Sequence, residues 1–178
     1  HDALPISEII NNDEQLGDII DSTIEMSAVT NLKAFDTPKK VKASEFPWET
    51  KLWEPLKDEL LKHVKLKMSI PKGKSYTIIQ SAANKGKAAI CATYTVRECL
   101  ANVVLETYGG EETRDKIVSA ISNAPDNHPL KSAELSQGKK NKNKWAWSIK
   151  HCIDKTDSNI INWYTATLIA SYTLMEDM

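Results

Sequence analysis

A chain of 178 residues with 41% hydrophobic and 26% charged residues has the composition of an ordinary globular protein, and it is long enough to bury a substantial core. Seven prolines and six glycines are too few for a collagenous or low-complexity chain. The formal net charge of −1 excludes a protein that is strongly basic or acidic throughout.

The charges are unevenly distributed along the chain. Residues 1–32 carry seven of the 24 acids and none of the 23 Lys and Arg residues, so the rest of the chain carries 17 acids and a net charge of +6. Within that rest, residues 60–97 contain eight basic residues and no acid. We therefore divide the chain into an acidic N-terminal segment (residues 1–30), a linker or arm (31–47) and a basic globular domain (48–178).

The acidic N-terminal segment has an amphipathic pattern. In residues 8–25, isoleucines and a leucine recur at roughly helical spacing between acids, which predicts one or two turns of helix. Residues 31–47 mix Pro, Lys, Ser and Thr without a period, as is typical of a linker. Because the chain begins at His1 rather than at a methionine, we leave residues 1–7 out of the fold prediction as a fragment edge or a scar.

The basic domain begins with a predicted helix and a predicted strand. Apolar residues recur every four positions from Leu52, and Pro55 suits the first turn of a helix, so we predict a helix at about residues 54–63. Residues 64–70 alternate apolar residues with lysine and serine. This period of two predicts a strand with one solvent-exposed, basic face.

Capping patterns predict the elements that follow. A T-x-x-Q pattern beginning at Thr77 predicts a short helix, and the Ile, Thr and Tyr content of residues 88–94 predicts a second strand. Thr95 and Glu98 form a capping box ahead of apolar residues at helical spacing. We therefore predict a helix that ends at the glycine pair starting at Gly109.

The last third of the chain is predicted to be helical. We expect a helix over residues 111–122, a loop over 123–129, a helical turn at 131–135 and a final helix capped by Asp157 or Ser158. The complete prediction is a predominantly helical α+β fold. A small two-stranded sheet, at about residues 64–70 and 88–94, has five or six flanking helices.

The sequence also bears on cellular location. Residues 158–175 carry no charge over 18 positions, but their Ser, Thr and Asn content favours a buried helix over a membrane span. Residues 1–25 lack the basic residues and the continuous apolar stretch of a signal peptide. We therefore expect an intracellular protein, cytoplasmic or nuclear, that is not secreted.

The three cysteines, Cys91, Cys99 and Cys152, contain no C-x-x-C pair. An odd number without that spacing indicates free thiols rather than a disulfide framework or a zinc site. We expect Cys91 and Cys99 to be buried as small hydrophobic side chains.

No catalytic motif is present in the sequence. Gly73 begins a G-K-S tripeptide, but a phosphate-binding loop needs a glycine five positions earlier, where Met68 stands. No pair of histidines or carboxylates forms a recognisable base and its orienting partner. We assign no catalytic residue, no cofactor and no metal. The sequence therefore argues against an enzyme, and an active site built from residues far apart in the sequence is the alternative.

The concentration of lysines is the strongest functional signal. Lysines crowded together repel one another unless an anion lies nearby, and a polyanion gains affinity through counterion release. The second lysine run also contains tryptophans, whose rings can stack on unpaired bases. The predicted nucleic-acid-binding residues are Lys65, Lys67, Lys72, Lys74, Lys85, Lys87, Lys139, Lys140, Lys142, Lys144 and Trp145.

These observations predict a non-enzymatic, sequence-tolerant nucleic-acid-binding or nucleoprotein-type assembly protein, with RNA or single-stranded DNA as partner. The alternative is a protein–protein interaction or structural domain, because lysines on a strand can serve only to keep an edge soluble. The acidic N-terminal segment adds two hypotheses. It folds back and competes with the partner of the basic domain, or it docks on another copy and drives self-association.

Overall fold

The computed structural model describes residues 46–178, and the predictions made for residues 1–45 lie outside this range. A π-helical turn at Glu49–Trp53 leads into the first helix, and a 3₁₀ turn follows the second at Pro129–Ser132. The α-helices of this part of the chain are α1 (Glu54–Leu61), α2 (Gly110–Asn123) and α3 (Ile160–Glu176).

Six strands form one antiparallel sheet in the order β1–β2–β3–β4–β6–β5. The strands are β1 (Lys67–Ser69), β2 (Tyr76–Gln80), β3 (Ala88–Thr95), β4 (Leu100–Thr107), β5 (Glu134–Gln137) and β6 (Trp145–Cys152). Strands β3, β4 and β6 are the longest, with eight residues each, and they lie side by side. They form the centre of the sheet, while β1 and β5 are its short edges.

The predicted fold class is wrong, because the described chain has a six-stranded sheet and three α-helices instead of a two-stranded sheet with five or six helices. The helix predicted from Thr77 is strand β2, and the helix predicted after the Thr95–Glu98 capping box is strand β4. Nearly all side chains of both strands are buried whichever face they point to. A short apolar run of this kind lacks the alternation that separates a strand from a buried helix.

Several other elements were predicted correctly. The helix predicted at residues 54–63 is confirmed as α1, the strand at 88–94 as β3, and the helix at 111–122 as α2. The final helix is confirmed as α3, but its predicted cap is wrong: Asn159 precedes the helix without a side-chain cap, and Asp157 accepts a hydrogen bond from the Asn159 amide. The strand predicted over residues 64–70 is reduced to the three residues of β1.

Strands β5 and β6 were not predicted. The helical turn expected at residues 131–135 is a 3₁₀ turn at Pro129–Ser132, and β5 follows it. The segment that was interpreted as a lysine-rich run continues into β6, which pairs with β4 along eight positions.

The helices pack on one face of the sheet, which we call the helix-covered face. Ile79, Ile90, Val103, Leu105 and Trp147 point to this face. They form one hydrophobic core with buried side chains of the helical segments, among them Trp53, Leu56, Ile117, Tyr164 and Leu168. Burial of this apolar area is the main stabilising contribution to the fold.

The alternate residues of the same strands define the second face of the sheet. Ile78, Cys91, Val104, Glu106 and Ala146 point to it, because side chains alternate along a strand. All five are withdrawn from solvent: Ile78, Val104 and Glu106 have 0% of their surface exposed, Cys91 1% and Ala146 3%. The sheet is therefore buried on both faces at its centre.

A buried tyrosine holds α3 against the sheet. The Tyr164 hydroxyl donates a 2.5 Å hydrogen bond to the Thr93 carbonyl of β3. Burial raises the pKa of this hydroxyl well above its usual value, so it remains a neutral donor.

We expect Tyr164→Phe to lower the free energy of unfolding by about 1–2 kcal/mol, because a buried carbonyl loses its donor. The measurement is urea denaturation followed by circular dichroism. Tyr172→Phe is the matched control, since its hydroxyl donates over a longer 3.2 Å to the Lys65 carbonyl from a partly buried position. A loss in Tyr172→Phe that equals or exceeds the loss in Tyr164→Phe would contradict this account of how α3 is held.

Candidate nucleic-acid interface

The strand register brings three separate loops to one end of the sheet. At this end, Lys67 of β1 pairs with Gln80 of β2, and Gln80 pairs with Ala89 of β3. At the same end, Thr107 of β4 pairs with Trp145 of β6. Consequently the β2–β3 loop, the β4–α2 turn and the β5–β6 loop leave the sheet at the same end.

Backbone hydrogen bonds join these loops to one another. The Tyr108 amide donates to the Lys87 carbonyl at 2.9 Å, and the Gly110 amide donates to the Asn143 carbonyl at 3.0 Å. Within the β5–β6 loop, the Gly138 amide donates to the Lys144 carbonyl at 2.8 Å. The three loops are thus parts of one continuous backbone surface.

Exposed lysines from β1, from the residues just before it and from two of these loops lie along this end of the sheet. Strands β3 and β6 are separated by two strand spacings, about 10 Å, so the β2–β3 and β5–β6 loops carry lysines that are remote in sequence to adjacent parts of this end. We call this set the lysine rim; it consists of Lys65, Lys67, Lys85, Lys87, Lys139, Lys140 and Lys142, all exposed.

Lys72 and Lys74, two of the predicted binding residues, are exposed at the opposite end of the sheet in the β1–β2 turn. The backbone of this turn is tied to the first helical segment, because the Gly73 amide donates to the Glu49 carboxylate and the Trp53 indole N–H donates to the Lys74 carbonyl. The hydrogen bond from Gly73 is the largest cause of the lowered pKa of Glu49. These two lysines do not join the lysine rim.

The prediction that Lys144 contacts a partner from the surface is wrong. The residue is buried, with only 1% of its side chain exposed. Its Nζ lies 3.4 Å from Oε2 of Glu106, whose side chain is also 1% exposed. The Tyr108 hydroxyl donates a 2.6 Å hydrogen bond to the same carboxylate oxygen. Lys144 therefore links the β5–β6 loop to β4 from inside the protein, where it cannot contact a phosphate.

Trp145, predicted to stack on bases, is partly buried and packs against the hydrophobic core. The Arg114 guanidinium of α2 lies over its ring, with Cζ 4.6 Å from the ring centroid. This cation–π contact occupies one side of the indole. Trp145 thus helps to fix α2 beside β6 and is a weaker candidate for stacking than its sequence context indicated.

Acidic groups also lie close to the lysine rim. The Glu176 carboxylate at the end of α3 accepts hydrogen bonds of 2.7 Å each from the Ala82 and Ala83 amides in the β2–β3 loop. Glu111 and Glu112 begin α2, directly after the β4–α2 turn. The rim is therefore a basic edge with acids on the helix side, so an anion would approach it from the loop tips.

Cysteines and histidines do not assemble a reactive centre in the described chain. Cys91 is buried as expected, and burial raises its pKa, with the nearby Glu106 charge adding to the effect, so the thiol is a poor nucleophile. Cys99 was expected to be buried, but it is exposed in the β3–β4 turn with a φ of +48°. Among residues 46–178 no three His, Cys, Asp or Glu side chains converge as metal ligands would.

Comparison of the chain with protein-family models, with curated proteins and with solved structures finds no match. The structure also bears on the membrane question raised by the uncharged C-terminal stretch. Of the helices within residues 46–178, none combines the length and apolar character needed to cross a membrane.

The buried ion pair makes a specific stability prediction. Lys144→Met should lower the free energy of unfolding by about 3–5 kcal/mol, because it leaves the Glu106 carboxylate buried without its cation. Adding Glu106→Gln should recover most of that loss, since the amide is neutral and its oxygen can still accept from Tyr108. Urea denaturation of both variants measures the difference. A double variant no more stable than Lys144→Met would show that charge pairing is not what Lys144 contributes.

Proposed function

We propose that the protein is a non-enzymatic, sequence-tolerant nucleic-acid-binding or nucleoprotein-type assembly protein that contacts phosphates through the lysine rim. Its partner is RNA or single-stranded DNA, and its place is inside the cell, in cytoplasm or nucleus. Self-association through the acidic N-terminal segment belongs to the same proposal.

The convergence of the rim lysines supports this proposal. Lys67, Lys87 and Lys142 are far apart in sequence, yet the strand register places their segments at one end of the sheet. Phosphates of a flexible single strand can follow a row of ammonium groups without a matching base sequence. The buried pair of Lys144 and Glu106 beneath the rim holds the β5–β6 loop in position for such contacts.

A protein–protein interaction or structural domain is the second candidate. The exposure of Leu61, Val118 and Leu135, at 47%, 39% and 44% of their surfaces, supports it to a limited extent. These side chains lie on α1, α2 and β5, on separate elements. Single exposed apolar residues are common on monomeric proteins, so this observation argues less strongly than the lysine rim.

The rim predicts a position-dependent loss of binding. The triple variant Lys85→Gln/Lys87→Gln/Lys142→Gln should weaken binding to a labelled single-stranded oligonucleotide by about tenfold or more at low salt. Fluorescence anisotropy with RNA, single-stranded DNA and a duplex measures the affinity.

The matched control is Lys51→Gln/Lys72→Gln/Lys74→Gln, which removes three exposed lysines away from the rim and changes the net charge equally. The control should bind within about twofold of the parent protein, because its phosphate contacts are intact. Equal weakening in both variants would point to overall charge alone, and no binding by the parent protein at low salt would refute the proposed function.

Salt dependence provides an independent measurement. If the three substituted rim lysines each neutralise one phosphate of a single strand, the slope of log affinity against log salt should become shallower by about 2 in the rim variant. Anisotropy titrations at four or more salt concentrations give this slope. An unchanged slope with weaker binding would mean that the substitutions disturb the fold and that the lysines do not contact phosphate.

A further inference from the structure

Two consecutive backbone amides of the β2–β3 loop bind one carboxylate. The Ala82 amide donates to Oε1 of Glu176 and the Ala83 amide donates to Oε2, each at 2.7 Å. Successive N–H groups that converge in this way form a concavity that binds anions, as in many phosphate sites. The loop therefore carries a formed oxyanion site, and a side chain from the end of α3 occupies it.

Other hydrogen bonds hold the loop in this shape. The Asn84 amide donates to the Ser81 hydroxyl at 2.7 Å, and the Lys87 amide donates to the Asn84 carbonyl at 2.9 Å. The Asn84 side-chain amide donates to the Met175 carbonyl at 3.0 Å and ties the loop to α3. None of these bonds involves the Glu176 side chain, so the two loop amides keep their positions when its carboxylate leaves.

The Glu176 carboxylate lies at an unfavourable end of its own helix. Glu176 is the last residue of α3, where the helix dipole places partial negative charge and favours a cation. The last turn of α3 has no basic residue, and Asp177 follows directly. The loop amides, and not the helix, therefore hold the carboxylate. Its release into water relieves this repulsion, which favours exchange with another anion.

Two exposed lysines next to the amide pair have no acidic partner. Within residues 46–178, neither Lys85 nor Lys87 forms an ion pair. Lys85 follows Ala83 by two residues, so the two Cα atoms are at most about 7 Å apart and the lysine side chain can reach the amides. A carboxylate offers two oxygens, whereas a phosphate offers further oxygens and up to about two negative charges. Phosphate therefore suits these donors better than the carboxylate does.

We propose that the β2–β3 loop is a phosphate-binding site, formed by the Ala82 and Ala83 amides with Lys85 and Lys87, and that Glu176 is its internal competitor. Two unesterified oxygens of the phosphate take the places of Oε1 and Oε2, and the Glu176 side chain turns out to solvent. A free phosphate ion and a phosphate within a nucleic-acid strand share this chemistry. The site does not depend on the proposed function, because inorganic phosphate alone tests it.

Phosphate titration of isotope-labelled full-length protein tests this site. Proton–nitrogen correlation spectra follow the Ala82 and Ala83 amides while sodium phosphate replaces sodium chloride at neutral pH and constant ionic strength. Glu176→Ala removes the competitor. Asp177→Ala is the matched control, because it removes the same charge at the same helix end and leaves the carboxylate that binds the loop amides.

Glu176→Ala should bind phosphate at the two amides at least about tenfold more tightly than the parent protein. A competitor that fills a site for about nine-tenths of the time weakens the apparent affinity by that factor. Asp177→Ala should stay within about twofold of the parent, since the exposed charge is screened. Equal affinities in the parent and in Glu176→Ala, or an equal gain in Asp177→Ala, would overturn the proposal.

A second variant keeps the test decisive if circular dichroism shows that Glu176→Ala is unfolded. Glu176→Gln retains the length of the side chain and one acceptor oxygen but loses the negative charge. It should bind phosphate at least about threefold more tightly than the parent, because a neutral acceptor competes less strongly for the amides. Phosphate affinity equal to that of the parent would count against Glu176 as the competitor.

The lysines are tested in the Glu176→Ala background. Lys85→Gln/Lys87→Gln should weaken phosphate binding by at least about tenfold, because hydrogen bonds from charged groups are lost. Lys72→Gln/Lys74→Gln makes the same charge change at the opposite end of the sheet and should alter the affinity by less than about twofold. Equal weakening by the two pairs would contradict direct contact of Lys85 and Lys87 with the phosphate.

A dinucleotide whose single phosphate is a diester identifies the source of the ligand. If it shifts the Ala82 and Ala83 amides, phosphates within a strand use the site; if only inorganic phosphate does so, the ligand is a free or terminal phosphate. Shifts from neither ligand in Glu176→Ala would overturn the proposal. Failure of the parent protein to bind oligonucleotides would refute the proposed function alone, because the phosphate titration is read separately.

Discussion

The antiparallel pairing of β3, β4 and β6 is the constraint on which the rest of the structure depends. Both pairings extend over eight residues, and together they decide which side chains point to each face. A slip of one residue would turn Val103 and Leu105 away from the helices and bring Val104 and Glu106 into their place. The same register sets the positions of the loops, so it also determines that the lysine rim exists.

The buried pair of Glu106 and Lys144 links the central strand β4 to the loop that carries part of the lysine rim. Removing two charges from water is costly, and such a pair persists only where its geometry is held by other contacts. Here the Tyr108 hydroxyl donates to the carboxylate, and Lys144 stands at the base of the loop that carries Lys139, Lys140 and Lys142. The pair therefore fixes a loop whose own sequence, rich in Lys and Asn, has little capacity to pack.

The sequence predicted α1, α2 and α3, each with a solvent-exposed side, and it predicted β3, but it missed β2, β4, β5 and β6. The periodic apolar residues of α1, α2 and α3 predicted helices that the structure confirms, because each helix has a side that faces solvent. Strand β4 was taken for a helix because its residues are buried on both faces, which removes the period of two. For β6 the signal is present, because Trp145, Trp147 and Ile149 alternate with smaller or polar residues, but the neighbouring lysines favoured the interpretation as an exposed lysine-rich run.

The same limits apply to the candidate site. Sequence identified the lysines as a group, but it could not show that Lys72 and Lys74 lie at the opposite end of the sheet from Lys87 and Lys142, because that depends on strand pairing. Nor could it show that Lys144 turns inward, since its burial depends on pairing with the Glu106 carboxylate of β4, which is remote in sequence.

The most direct test of this account is the strand register of β4 in solution, measured by nuclear Overhauser effects on isotope-labelled full-length protein. The account predicts cross-strand contacts of Val104 with Cys91 on one side and with Ser148 on the other. A continuous series of sequential amide–amide contacts from residue 100 to residue 107, as in a helix, would contradict it. So would cross-strand contacts shifted by one residue, which would exchange the two faces of the sheet.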